Sequence, residues 1–169
     1  AKIFLGIDIR NIGSGNIGTT NVLRTGKKSL AASTLLLDAL KGYVSIIIAY
    51  KYFNELVYLS ALICFIGHIF PIWLKFKGGK GVATYLGIIL GISFILGVVF
   101  GVVWILTAVI FRYSSISSIL GSMLVCFYSI LVGNEMQNYF LFILFVIIIF
   151  THKDNIVRLK NSKEGKIKL

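Results

Sequence analysis

The thirty residues from Val82 to Phe111 contain no charged side chain. No other feature restricts the fold as tightly. So long an apolar segment cannot lie on the surface of a soluble domain, and a bilayer takes about 20 such residues per helical crossing. Other runs repeat the pattern. Ser29 to about Tyr50 is broken only by Asp38 and Lys41, Leu56 to Leu74 carries His68 and the single proline Pro71, and Phe140 to Phe150 is uncharged. Charged residues make up 14% of the chain and mean hydropathy is +0.92, whereas soluble domains are about a quarter charged. The chain therefore reads as one integral membrane domain of the all-α class. Its parts are a glycine-rich loop at 1–28, a transmembrane bundle at 29–151 and a basic tail at 152–169.

A single helix over 82–111 would run about 45 Å, too long for a hydrocarbon core of ~30 Å. Two crossings with a break near Gly91 to Ser93 bring most of the basic residues to one side. These are Arg10, Arg24, Lys27, Lys28, Lys75, Lys77, Lys80, Arg112 and the six cations from Lys153 to Lys168, leaving Lys51, Glu55 and Glu135 opposite. The positive-inside rule selects this arrangement. It gives six helices with both ends cytoplasmic. The pairs Gly87/Gly91 and Gly97/Gly101 would let neighbouring helices approach closely.

Net charge is +11. In a membrane chain that excess suits anionic headgroups and anionic substrates rather than nucleic acid. Cys64 and Cys126 each lie within an apolar run and read as free thiols, with no second ligand at a metal-binding spacing. Neither a metal nor a cofactor is expected, nor an obligate protein partner.

Six-helix topology puts three polar segments at one end. They are Gly13-Ser14-Gly15-Asn16-Ile17-Gly18-Thr19-Thr20-Asn21 with Arg24, then Lys75 to Gly81, then His152 to Asn155 with Arg158. Glycine-rich turns can aim successive backbone N–H groups at one anion. Arg24 adds a planar fork suited to phosphate oxygens, and Lys80 is boxed by Gly78, Gly79 and Gly81. Two such loops suggest two phosphates. Neither is a nucleotide loop, because Gly81 rather than a hydroxyl follows Lys80 and no strand precedes Gly13. Asp38 and Lys41 lie three apart inside a crossing and are expected to pair, and to brace the site. His68 reads as a packed structural residue.

These residues resemble a known family. Gly13 to Arg24 is similar to the first signature of the membrane-bound acyl-phosphate:glycerol-3-phosphate acyltransferases of bacteria. Leu37-Asp-Ala-Leu-Lys-Gly42 resembles that family's Asp-x-x-Lys-Gly, Gly67-His-Ile-Phe-Pro71 with Lys75 to Thr84 its second signature, and His152 to Arg158 its third. The resemblance covers essentially the whole chain. It implies a seven-helix enzyme that makes lysophosphatidic acid from glycerol 3-phosphate and acyl phosphate at the cell (inner) membrane. No coenzyme is implied, and the site would face the cytoplasm. This chain starts within the loop after the family's first helix, so six helices are expected, the family's short fourth one paired with the next. The resemblance also implies Ser14, Arg24, Lys80 and Asn155 around glycerol 3-phosphate. Thr20, Ser118, His152 and nearby glycines would hold the donor phosphate. The His–x4–Asp dyad of other glycerol-phosphate acyltransferases is missing, since Trp73 follows His68 and Val157 follows His152 at that spacing. Two rivals stay open at this point: a small transporter of anionic phosphorylated solutes, and a non-catalytic membrane remnant.

Overall fold

The structure is a computed structural model describing residues 9–11, 13 and 15–167. Every regular element among them is helical. Helix α1 (Thr19–Leu23) precedes α2 (Lys28–Tyr52), α3 (Val57–Ile69), α4 (Val82–Ile92), α5 (Phe94–Phe111), α6 (Ser114–Val132), α7 (Glu135–Thr151) and α8 (Lys153–Lys160), with short 3-10 turns at Asn54–Leu56 and Ile72–Leu74. Helix is the form a spanning segment without sheet partners must take, since hydrocarbon offers its backbone no hydrogen bonds. Long apolar spans lie at Lys28–Tyr52, Asn54–Leu74, Phe94–Phe111 and Ser114–Val132; the apolar α7 makes a fifth, and the charged α8 turns away from it by 56°. The expected six-helix bundle is completed by the 11-residue α4. At 1.5 Å per residue α4 is only about 16 Å long.

The charge-free run divides where charge distribution requires. Ser93 is extended (φ −156°, ψ 126°) between α4 and α5. A Cβ on Gly97 would overlap the Leu90 side chain and come within 3.5 Å of its Cα, so the two helices fold back on one another. Of the four glycines expected at helix contacts, three are there. A Cβ on Gly87 would strike the Ala39 backbone, and one on Gly91 the Ile46 side chain. Gly101 is different: nothing lies within 4 Å of its Cβ position, and it lines a cavity instead.

The tightest seam joins α2 and α4. A Cβ on Gly42 would meet Thr84 O and Ile88 N, while Gly91 faces Ile46, so the helices run parallel. Helix α4 thus begins level with the region of Asp38, about 15 Å along α2 from Lys28. Between these helices and α5, α6 and α7 lies an apolar core that includes Phe65, Tyr85, Ile88, Phe100, Leu141 and Leu144. Outside, large apolar side chains such as Leu36, Ile110 and Leu131 are exposed, as lipid contact requires. The end remote from Lys80 is closed by polar contacts: Asn134 Oδ1 caps α7 by accepting from Gln137 N at 2.9 Å, and Ser129 Oγ lies 2.6 Å from Asn138 Oδ1.

Candidate active site

Alternation of the helices brings the start of α4 and the end of α7 together. Thr151 Oγ1 donates to Lys80 O at 3.2 Å, and Lys80 Nζ donates to Asn155 Oδ1 at 2.5 Å. The amide of Asn155 donates onward to Glu164 Oε1 at 2.5 Å. Glu164 also accepts from Arg158 Nε at 2.7 Å and from Ser115 Oγ at 3.1 Å. Its carboxylate is thus the hub where the tail meets α6 and α8. Burial would push that carboxyl up, but the bonds from Asn155 and Arg158 outweigh it and hold Glu164 below its ordinary range.

Lys80, Ser115, Asn155 and Glu164 border a cavity of about 340 Å³. Arg24 and Lys80 stand at its polar side, and Leu35, Leu86, Phe100 and Trp104 form an apolar side. Burial pushes the Lys80 ammonium down to about 8, Glu164 opposing the fall and Arg158 and Arg24 adding to it. Burial, and then the Lys80 charge, pushes His152 down to about 4. Its Nδ1 lies 2.8 Å from Ile148 O. A carbonyl only accepts, so Nδ1 carries the hydrogen and Nε2 is left as an acceptor.

Comparison with known proteins shows the family. The model of the glycerol-3-phosphate acyltransferase family matches residues 1–162. The chain belongs to that family. A glycerol-3-phosphate acyltransferase of Pelagibacter ubique is 50% identical over 168 residues, 99% of this chain and 87% of the relative. One of Brucella anthropi is 49% identical over 160 residues, 95% of this chain and 80% of the relative. Crystal structures of PlsY, an integral membrane glycerol 3-phosphate acyltransferase, superpose well. The glycerol 3-phosphate form gives a TM-score of 0.94 at 32% identity, covering 98% of this chain and 85% of that one. The lysophosphatidic acid form gives 0.87 at 32% identity, covering 90% and 80%.

Within this acyltransferase, the residues singled out by sequence separate into two groups. Asn16, Gly18, Thr20, Arg24, Lys80, Gly81, Ser118, His152 and Asn155 line the cavity. Ser14 lies outside the described residues. The second group serves the scaffold. Asn21 is buried, its amide donating to Ile9 O at 2.8 Å and Asn16 O at 2.7 Å, so it braces the first loop from within. Gly13 sits at φ +57° under the Asn21 and Arg24 side chains, and Gly15 has φ +70°. Arg158 does not line the cavity and pairs with Glu164, which does.

The glycines before Lys80 also differ from expectation. Gly78 N donates to Ile69 O at 3.0 Å and Gly79 N to His68 O at 3.2 Å, so their amides bind the end of α3 and cannot also face an anion. A Cβ at Gly78 would collide with those carbonyls and with Pro71. Backbone amides without a partner in the helix are instead available in the first turn of α4, where Val82 and Ala83 line the cavity. Ser118 Oγ donates to Ser114 O at 2.8 Å and accepts from Trp104 Nε1 at 3.1 Å.

Glu164 is the main residue that the sequence reading missed. The available signal was an acid beside Gly165, one of only two in a tail otherwise rich in lysine. Glu164→Gln should lose the charge-assisted pair with Arg158, about 1.5–3 kcal/mol. The expected outcome is a lower melting midpoint in detergent and a roughly tenfold or larger fall in kcat/KM. A variant within twofold of the parent on turnover, with unchanged melting, would show that the carboxylate is dispensable.

Proposed function

We propose that this enzyme transfers a fatty acyl group from acyl phosphate to the 1-hydroxyl of glycerol 3-phosphate, releasing lysophosphatidic acid and phosphate. One observation carries the reading. A single cavity joins two cations, Arg24 and Lys80, to an apolar wall formed by Leu35, Leu86, Phe100 and Trp104. That is the polarity needed to bring a small phosphate ester to an acyl chain.

Arg24 and Lys80 take the acceptor phosphate. Arg24 Nη2 now rests on Gly165 O at 3.1 Å, a neutral acceptor that a phosphate dianion would displace. Lys80 gives one of its three N–H donors to Asn155 and keeps two. Asn155, with Ser14, orients the hydroxyl. Thr20, Ser118, His152 and the first turn of α4 receive the donor phosphate, and the acyl chain lies along the apolar wall. The hydroxyl oxygen attacks the acyl carbon, the carbon–oxygen bond to phosphate breaks, and the departing phosphate takes the proton. An acyl phosphate is a mixed anhydride with a good leaving group, so no strong general base is required. Formation of lysophosphatidate from labelled glycerol 3-phosphate and palmitoyl phosphate by purified protein tests the reading; no product under these conditions would refute it.

Lys80 gives that reaction a pH signature. The ammonium is charged below about 8 and loses its charge as pH rises through that value. Because kcat/KM reports the free enzyme, its value for glycerol 3-phosphate should fall about tenfold per pH unit above roughly pH 8. His152, pushed down to about 4, stays neutral throughout and adds no step between pH 6 and 9. A flat profile from pH 7 to 9.5 would remove Lys80 as the required cation.

The site faces the cytoplasm of a bacterial cell, across the inner membrane. Lys75, Lys77, Arg112 and the tail cations share its end of the bundle, as positive-inside orientation demands. Single cysteines replacing the exposed Lys77 and Lys163, in a chain lacking Cys64 and Cys126, should label only from the cytoplasmic side. Labelling of either from outside would reverse the orientation.

A further inference from the structure

Level with the start of α4, three polar side chains from two helices meet, Lys41 at the exposed edge and His68 at the buried one. Lys41 Nζ donates to Asp38 Oδ1 at 2.7 Å and lies 2.5 Å from His68 Nδ1. The His68 side chain is 8% exposed. A lysine ammonium only donates, so His68 Nδ1 accepts from it and the ring's hydrogen is on Nε2. The 3.5 Å approach of His68 Nδ1 to Asp38 Oδ1 is then two acceptors side by side, drawn together by the lysine between them. Asp38 and His68 both line the cavity.

Charged groups at this depth are costly unless they have a task. Helix packing alone is no sufficient task here, because the glycine seam of α2 on α4 already joins α2 to the bundle. The far edge of the imidazole shows what the cluster touches. Nε2 abuts Gly79 so closely that a Cβ there would overlap the ring. The peptide backbone beside that ring is the one that bonds Gly78 and Gly79 to the end of α3 and leads directly into Lys80.

We propose that Asp38, Lys41 and His68 are positioning residues: Lys41, held by Asp38, locks the His68 ring, and the ring fixes the Gly78–Gly79 turn so that Lys80 meets the acceptor phosphate. This rests on the function proposed above for Lys80. Control passes from α2 to α3 to the loop, and the three act on the reaction through Lys80. A residue that places one substrate's ligand affects that substrate more than the other. Loss of the bracket therefore weakens use of glycerol 3-phosphate while leaving the acyl-phosphate side nearly intact.

The test combines kinetics with hydrogen exchange on the full chain in lipid nanodiscs. His68→Ala should lower kcat/KM for glycerol 3-phosphate 10- to 100-fold, with KM for palmitoyl phosphate moving less than threefold. His68→Asn keeps an acceptor for Lys41 near the Nδ1 position and should recover part of the loss. Gly79→Ala, which pushes on the same ring from the other side, should mimic His68→Ala, and the two together should cost little more than either alone. Amide exchange at Gly78 and Gly79 should rise at least tenfold in His68→Ala. A His68→Ala enzyme within threefold of the parent, or one equally impaired toward both substrates, would overturn the proposal. Should the parent make no lysophosphatidate, the exchange measurement still decides: unchanged exchange at 78–79 would reject the bracket independently of the reaction.

Discussion

Palmitoyl phosphate should support acylation of glycerol 3-phosphate by this protein, and palmitoyl-CoA should not, the difference exceeding about a thousandfold. The expectation follows from what surrounds the cavity. A CoA thioester carries a nucleotide that needs its own surface, and a carrier-protein thioester needs a larger one. Among the described residues, polar structure near the site consists chiefly of the first loop, the loop before α4 and the tail, and all three are engaged in contacts within the protein. Asn21 is used inside the first loop, Gly78 and Gly79 are bonded to α3, and the tail is tied to Arg24 through Gly165 and to Arg112 through Ile167. What remains for a leaving group is the first turn of α4 with Thr20, Ser118 and His152, a space suited to one phosphate. Side-by-side assays with the two donors decide the matter, and inorganic phosphate should inhibit as product. Comparable rates with the thioester would remove both the donor assignment and the leaving-group role given to phosphate.

Lys80→Ala and Arg24→Ala should each lower kcat/KM by roughly 30- to 1000-fold. Each removes a charge-assisted contact to a phosphate, a loss of about 2–4 kcal/mol in transition-state stabilisation. Lys80 is the more sensitive position because its alanine variant also leaves Asn155 Oδ1 without its donor. Lys163→Ala and Lys166→Ala change exposed tail cations and should stay within about twofold, since isolated exposed charges contribute little. Steady-state kinetics on the four variants, each checked for folding by its melting midpoint, separates the two pairs. Equal mild losses at all four positions would mean that the cations act only through net charge.

Much of this architecture is a necessary consequence of the amino-acid sequence. Thirty uncharged residues must enter the membrane, and their excess over one hydrocarbon thickness demands a break, found at Ser93. Once the number of crossings is even or odd, alternation alone assigns every loop to an end. That Lys80 and Asn155, 75 positions apart, share one end of the bundle therefore follows from the crossings alone; their contact does not. Family membership was equally legible, because the signatures are local strings whose order and spacing survive without knowledge of the fold.

Only tertiary structure could divide the polar residues between substrate and scaffold. A glycine permits two opposite things: an amide turned toward an anion, or a backbone pressed against a neighbouring chain. The sequence Gly78-Gly79-Lys80-Gly81 is the same for both, and packing against Ile69 and His68 selected the second at Gly78 and Gly79, while Gly81, set against Phe65, also lines the cavity. Asn21, next to Thr20 in the same signature, turned inward because the first loop needed a donor for Ile9 O and Asn16 O. Glu164 carries no local mark of its role, since its partners Ser115, Asn155 and Arg158 come from two helices and the contact with Ser115 spans 49 positions. His68 read as a packed structural residue for a related reason. Its significance lies in Lys41, 27 positions earlier, and in a glycine that follows it only after the chain has turned. Hydrophobic length and charge act over single segments and so can be read along the chain; hydrogen-bond partnership is a property of segments brought together, and is decided only where they meet.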